Sequence, residues 1–326
     1  MMRCVGMGVA ACAVLLLGLG QVQATTTLYL TTRDTSPVTL AGVTFERGDI
    51  VAYKMESGTA SLFFTGKDYF RKSDGTTGAA ANIDGLYVYA DGRILLSTDG
   101  TARLGATPLK FENGDIVLFD MASDTASIFL AGSGSSSIFR ASGGARGAAA
   151  NVDAIHLMDN GHLLLSTTSQ EKLGTNLLVI RAGSIVEYDP VNDHASIYFA
   201  STLFRTSAGA FVGPDAINVD GVSMFGGSLL LSTNDDPARL GAPPDMLTFH
   251  DGDVVMYDRA TDEAKIFFSQ DLLQCNAKDI DGLSVLTWGQ SQEAVIPEPV
   301  TPVTACGLVL GALGLAGYLR RRTARA

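Results

Sequence analysis

The chain has 326 residues, is 46% hydrophobic and 17% charged, contains 36 Gly, and carries a formal net charge of −11. That composition calls for a folded core and excludes intrinsic disorder. Removing Arg3, Arg320, Arg321, Arg322, Arg325 and Glu298, which belong to the two termini, leaves 18 basic against 33 acidic residues, a net of −15. So acidic a body repels phosphate backbones, and a nucleic-acid partner is excluded.

The chain opens with one Arg, then an apolar run, then Val22-Gln23-Ala24. A charged start, a hydrophobic stretch and a small-x-small end make residues 1–24 a secretory signal peptide, cleaved after Ala24. Cys4, Cys12 and Cys306 fall in the terminal apolar segments, which leaves Cys275 alone in the body. A single thiol cannot staple a fold, and no Cys/His spacing suits a structural metal.

Residues 25–289 form a repeat domain of four units. Three motifs recur in fixed order. The first is an apolar strand ending in hydroxyls: LYLTT from Leu28, ILLST from Ile94, LLLST from Leu163 and LLLST from Leu229. The second is a hairpin beginning at Gly48, Gly114, Gly183 and Gly252, so the period is 66 to 69 residues. The third reads NIDGLYVYADG from Asn82, NVDAIHLMDNG from Asn151, NVDGVSMFGG from Asn218 and DIDGLSVLTWG from Asp279. Apolar–polar alternation rich in β-branched and aromatic residues predicts strands, and Asp-Gly or Asp/Asn/Pro clusters between them predict hairpins. Four strands per unit at this period predict an all-β fold, a β-propeller of four four-stranded blades. The first strand (Leu28–Thr32) and the last (Leu283–Leu286) each lack a hairpin partner, so their pairing would complete a blade from both chain ends and close the ring. An open stack of β units, or a larger ring made by two chains, would also use this repeat.

The most regular polar position is the Asp of the third motif: Asp84, Asp153, Asp220 and Asp281. Two readings are open. Each Asp accepts hydrogen bonds to its own turn, once per blade; or the four converge near a central channel and hold a cation, for which Ca²⁺ is suited. No motif demands another cofactor. Asp120, Asp189 and Asp258 close the third strand of three units and read as turn-starters, with Lys54 in the first. The Ser-Thr pairs have no His at a constant offset, and His156, His162, His194 and His250 share no ligand spacing, so no catalytic constellation is present and the body reads as non-enzymatic. Trp288 reads as packing.

After Gly289, residues 290–302 form a polar linker containing Pro297-Glu298-Pro299. Residues 303–319 are an uncharged run of 17, long enough for a transmembrane helix. Residues 320–326 are an Arg-rich cytoplasmic tail that opens with Arg320-Arg321-Arg322. This arrangement closely resembles the PEP-CTERM sorting signal of Gram-negative bacteria. The resemblance covers about the last 30 residues. It implies that Pro297, Glu298 and Pro299 are recognised by an exosortase and that Arg320, Arg321 and Arg322 stop transfer. It further implies export across the inner membrane, anchoring through the C-terminal helix before processing, and then a cell-surface or extracellular place. Exopolysaccharide, biofilm matrix and other surface proteins are the partners it suggests. The expected function is a binding or structural body delivered to the surface. The competing expectation is a secreted propeller hydrolase or lactonase with a divalent cation in its channel.

Overall fold

The structure is a computed structural model that describes residues 25–147, 150–213, 215–274 and 279–288. Ala24, Cys275, Pro297, Glu298, Pro299, the apolar run and Arg320, Arg321 and Arg322 lie outside the described residues.

The chain is all-β, built on four four-stranded antiparallel sheets in a propeller-like array. Three of them are made in chain order. The second sheet runs Ile83–Val88, Ile94–Thr98, Ile116–Asp120, Thr125–Leu130. The third runs Val152–Leu157, Leu163–Thr167, Ile185–Asp189, His194–Phe199. The fourth runs Val219–Phe225, Ser228–Thr233, Val254–Asp258, Glu263–Phe268. The first sheet takes its inner strand from the far end of the chain: Ile280–Trp288 pairs with Thr25–Thr32, followed by Ile50–Lys54 and Thr59–Phe64. The register runs from Thr25 opposite Trp288 to Thr32 opposite Ile280. Both terminal strands are longer than their predicted cores.

The hydroxyl-ended second strands are buried along their whole length (Ile94–Thr98 and Leu163–Thr167). That explains their near-continuous apolar sequence, since a strand covered on both faces has no polar side to alternate with. The outermost strands instead carry exposed positions, as in Thr59–Phe64 and Glu263–Phe268. Side chains between adjacent sheets build the core; Phe119, Phe199, Tyr188 and Tyr257 are among its fully buried large members.

One element was not anticipated. Between the second and third strands of each unit runs a short ribbon, such as Ala102–Leu104 with Leu109–Phe111, or Ala238–Leu240 with Leu247–Phe249; in the first unit Val38–Leu40 and Val43–Phe45 are joined by a third strand, Leu273–Gln274. The repeated Leu-Gly of "RLGATPLKF", "KLGTNLLVI" and "RLGAPPDMLTF" is its signature. Three-residue strands are too short to show a clear alternation, so only the repetition could have revealed them.

The Gly that begins the hairpin motif in the first three units is fixed by crowding. A Cβ would lie 2.3 Å from the Ala81 carbonyl oxygen at Gly48, 2.5 Å from that of Ala150 at Gly114, and 2.0 Å from that of Ile217 at Gly183. Each Gly therefore lets one unit's turn press against the backbone just before the next unit's third motif.

Candidate functional site

The four inner strands meet one another: Ile280–Trp288 packs against Ile83–Val88 and Val219–Phe225, and Val152–Leu157 packs against the same two. This places two layers of polar side chains along the strands, an acidic layer at their starts and a mixed layer three residues on.

In the acidic layer Asp84, Asp153, Asp220 and Asp281 are all buried. The bonds of Asp84, Asp153 and Asp281 differ from the predicted turn caps, because the donors are side chains of a neighbouring unit. Asn151 Nδ2 donates to Asp84 Oδ2 at 3.2 Å, and Asn218 Nδ2 donates to Asp153 Oδ2 at 2.6 Å. Asn82 Nδ2 donates to Asp281 Oδ2 and also to its own Asp84. The Asn-x-Asp motif is thus a junction: the Asn of one unit satisfies the Asp of the unit before it. Propensity reasoning sees Asn and Asp as turn formers and misses that their common spacing links consecutive sheets.

Burial pushes the carboxyl groups up, because a low-dielectric surrounding disfavours the charged form. Asp84 rises to about 7, from burial and then the fields of Asp153 and Asp99. Asp153 rises to about 6, from burial, with Asn218 and Arg33 opposing. Asp220 and Asp281 rise well above the ordinary range for the same first reason. Arg33 faces this layer. Burial alone would lower its pKa, but the carboxylates of Asp281, Asp279, Asp153 and Asp84 outweigh that and raise it. Among the described residues no three His, Cys, Asp or Glu side chains converge as metal ligands.

The hydroxyls that end the second strands perform a parallel task. Thr31 Oγ1 donates to the Ile83 carbonyl at 2.9 Å, Ser97 Oγ to Val152 at 3.0 Å, and Ser166 Oγ to Val219 at 2.8 Å. Each bond crosses to the next sheet's inner strand. In these three units the hydroxyl acts as a stitch between sheets.

Two further repeated contacts went unread in the sequence. The Asp after the hairpin Gly accepts from two backbone amides; Asp115, for example, takes Glu112 N–H at 2.9 Å and Gly132 N–H at 2.8 Å. Asp49 and Asp253 do the same, and Ser184 receives Ser201 N–H at 3.2 Å. The turn residues Asp124, Asp193 and Asp262, all at positive φ, receive Arg71, Arg140 and Arg205 from the preceding unit. Asp120, Asp189 and Asp258 start their turns as expected, accepting from Ala122, Val191 and Ala260 N–H.

The second layer holds Tyr87, His156, Ser223 and Ser284, each three residues after the junction Asp. Here the repeat is broken: four equivalent positions carry three residue types. Ser284 Oγ accepts Val88 N–H at 3.0 Å and Ser223 Oγ accepts Val285 N–H at 3.2 Å. His156 Nδ1 stands 3.5 Å from Ser223 Oγ, and its ring meets Tyr87 edge-on at 5.4 Å. Burial pushes the imidazole down to about 4, so it is neutral near pH 7, and burial first among causes pushes the Tyr87 phenol up to about 12. A cavity of about 350 Å³ opens at this layer, lined by Tyr87, His156, Met158, Asp159, Met224 and Leu286. A larger groove of about 610 Å³ runs past Phe129, Ile138 and Tyr188, but its polar groups satisfy each other. There Asp193 receives both Arg140 and Arg146, and the Tyr188 hydroxyl at 3.0 Å.

The other histidines sit apart. His162 contacts Glu187 and Asp189, and His250 contacts Asp236. His194 opens the outer strand of the third sheet and is exposed.

No protein-family model matches the chain, and no curated protein matches it. Solved structures align over most of its length at very low identity. A protein from Lactobacillus plantarum aligns at 8% identity and a TM-score of 0.36, covering 80% of this chain and 99% of its own. A Bacteroides caccae protein of unknown function aligns at 9% identity and 0.33, covering 80% and 99%. A chain of a nidogen/laminin complex aligns at 10% identity and 0.31, covering 80% and 98%.

Proposed function

We propose that this chain is an exported, non-enzymatic binding protein, a closed four-bladed propeller that carries its ligand site at the mouth of the central channel. The observation that carries the reading is the contrast between the two layers. Residues that recur in almost every unit (the Asn–Asp junctions, the hydroxyl stitches and the hairpin Asp) are consumed in holding sheets together. Tyr87, His156, Ser223 and Ser284 diverge at one equivalent position, and two of them, Tyr87 and His156, front a cavity of about 350 Å³. A neutral imidazole, a phenol and neighbouring Met and Leu side chains suit a small neutral ligand with an apolar face and one or two hydrogen-bonding groups, as a sugar unit has.

The PEP-CTERM-like tail supplies the address in this reading: Pro297, Glu298 and Pro299 are read by an exosortase, and the body reaches the surface or matrix, where exopolysaccharide is the natural partner. The test is a glycan array followed by calorimetry on the full chain purified in mild detergent, with His156→Phe as the comparison. Binding that falls at least tenfold in the variant supports the site. Turnover of an ester or lactone with no glycan retained would sink it and favour the metal-dependent hydrolase.

A further inference from the structure

The joint between the fourth sheet and the first differs from the other three in the same direction at every repeated contact. At the junction, position 279 carries Asp where the other units carry Asn82, Asn151 and Asn218. Asp220, which by the repeat would receive that Asn, has a second acidic residue at the donor's position instead, and the field of Asp279 is the largest charge effect on it. Among the described residues neither Asp220 oxygen has a hydrogen-bond partner, and Asp220 is completely buried. Ser232 is the stitch of this joint. It too is completely buried, and its hydroxyl makes no hydrogen bond of good geometry although it lies beside Asp220. The Arg–Asp clamp of the other joints is missing, since Gln274 follows Leu273 where Arg71, Arg140 and Arg205 follow Phe, and Gly58 stands where the paired Asp stands.

The buried Asp220 and Ser232 and the half-buried Asp279, whose Oδ1 also lacks a hydrogen-bond partner among the described residues, are costly to leave so, because each forfeits hydration with nothing in return. Among the described residues the positive charge acting on Asp279 is Arg33, which also serves Asp281, Asp153 and Asp84, while Asp34 and Asp251 add negative charge beside Asp279. An all-oxygen, doubly acidic set with no nitrogen or sulfur donor selects a hard cation, and two carboxylates match a double charge.

We propose that this joint is a Ca²⁺ site in which Asp220, Asp279 and the Ser232 hydroxyl, completed by water, bind one ion that closes the ring where the two chain ends meet. It is independent of the ligand proposed for the channel mouth, which lies in the other polar layer. Nor is it the symmetric four-Asp site, because Asn donors already satisfy Asp84, Asp153 and Asp281.

The experiment uses the full chain in mild detergent, stripped with EDTA and exchanged into choline chloride at fixed ionic strength. Titration with CaCl₂ should load a single equivalent by elemental analysis. It should also raise the thermal midpoint by about 5–10 °C at a free concentration roughly a hundred times the dissociation constant. Asp279→Asn restores the donor used at the other joints. It should fold, melt higher than the wild type in EDTA, and gain nothing from calcium; Ser232→Ala should fold and bind at least threefold more weakly. A wild type that binds no calcium and shows no shift overturns the proposal, as does an Asp279→Asn variant that still loads one equivalent.

Discussion

Asn218 donates from its side-chain amide to Asp153 at 2.6 Å, and so ties the start of the fourth sheet to the start of the third. The bond is buried on the Asp side and has no substitute, since a carboxylate held at 3% exposure cannot recover its lost hydration. Asn218→Ala should cost about 1–3 kcal/mol in equilibrium denaturation. It should also raise the Asp153 pKa further, since the Asn218 bond now opposes the effect of burial. A loss below about 0.5 kcal/mol would mean that the junction does not hold the sheets together.

The same layer sets the response to pH. A carboxyl whose folded pKa lies above its unfolded value, about 3.9, keeps its proton longer in the folded state. Folded protein then binds more protons than unfolded, and stability falls as pH rises. Asp153 lies near 6 and Asp84 and Asp279 near 7, with Asp220 and Asp281 shifted the same way, so the decline runs from about pH 4 through 7. Exposed groups shifted downward, such as Asp74 and Asp120, oppose it weakly through hydrogen bonds in high dielectric. Denaturation midpoints in EDTA should therefore drop between pH 5 and pH 8. A midpoint that climbs over that range contradicts the assignment.

Close approach of inner strands predicts an asymmetry between two small residues. At Gly85 a Cβ would lie 2.6 Å from both Ile155 Cγ1 and Ser97 Oγ, whereas the equivalent Ala154 already carries one in a fully packed setting. Gly85→Ala should destabilise by about 1–3 kcal/mol through overpacking. Ala154→Gly should lose about 0.5–1 kcal/mol, the ordinary cost of a strand glycine. Thermal melts of the pair decide it, and equal losses would show that the strands can move apart.

The hairpin latch tolerates what the repeat already contains. Asp115 takes two backbone amides, while Ser184 does the equivalent work with one hydroxyl. Asp115→Ser should keep Gly132 N–H satisfied and cost under about 1 kcal/mol, and Asp115→Val should cost about 1–3 kcal/mol by leaving two donors buried. Urea denaturation of both variants separates a latch from a spacer, for which the two would fall together.

Much of the architecture was legible in the sequence because the repeat is written at the level of the pattern. The hydroxyl-ended strands, the hairpins and the pairing of Leu28–Thr32 with Leu283–Leu286 each follow from alternation, turn chemistry and missing partners. What stayed hidden are contacts between units. Arg140 and Asp193 are 53 positions apart, and Asn218 and Asp153 are 65 apart, so no local rule connects them. The proposed ligand site was hidden for the opposite reason. His156 means little among four scattered histidines, and it gains meaning only once Tyr87, Ser223 and Ser284 are seen to occupy the same position.

The antiparallel register of the terminal strands has a mechanical consequence. Thr25 faces Trp288, so both ends of the folded body leave from the same end of one strand pair, about 5 Å apart. A pull applied between those ends would open the pair one hydrogen bond at a time, as a zipper opens, and would never load all its bonds together. A pull on one end against the rest of the body would meet the whole ladder in shear. The molecule should be soft when stretched between its own termini and stiff when tethered by one of them and dragged at its surface.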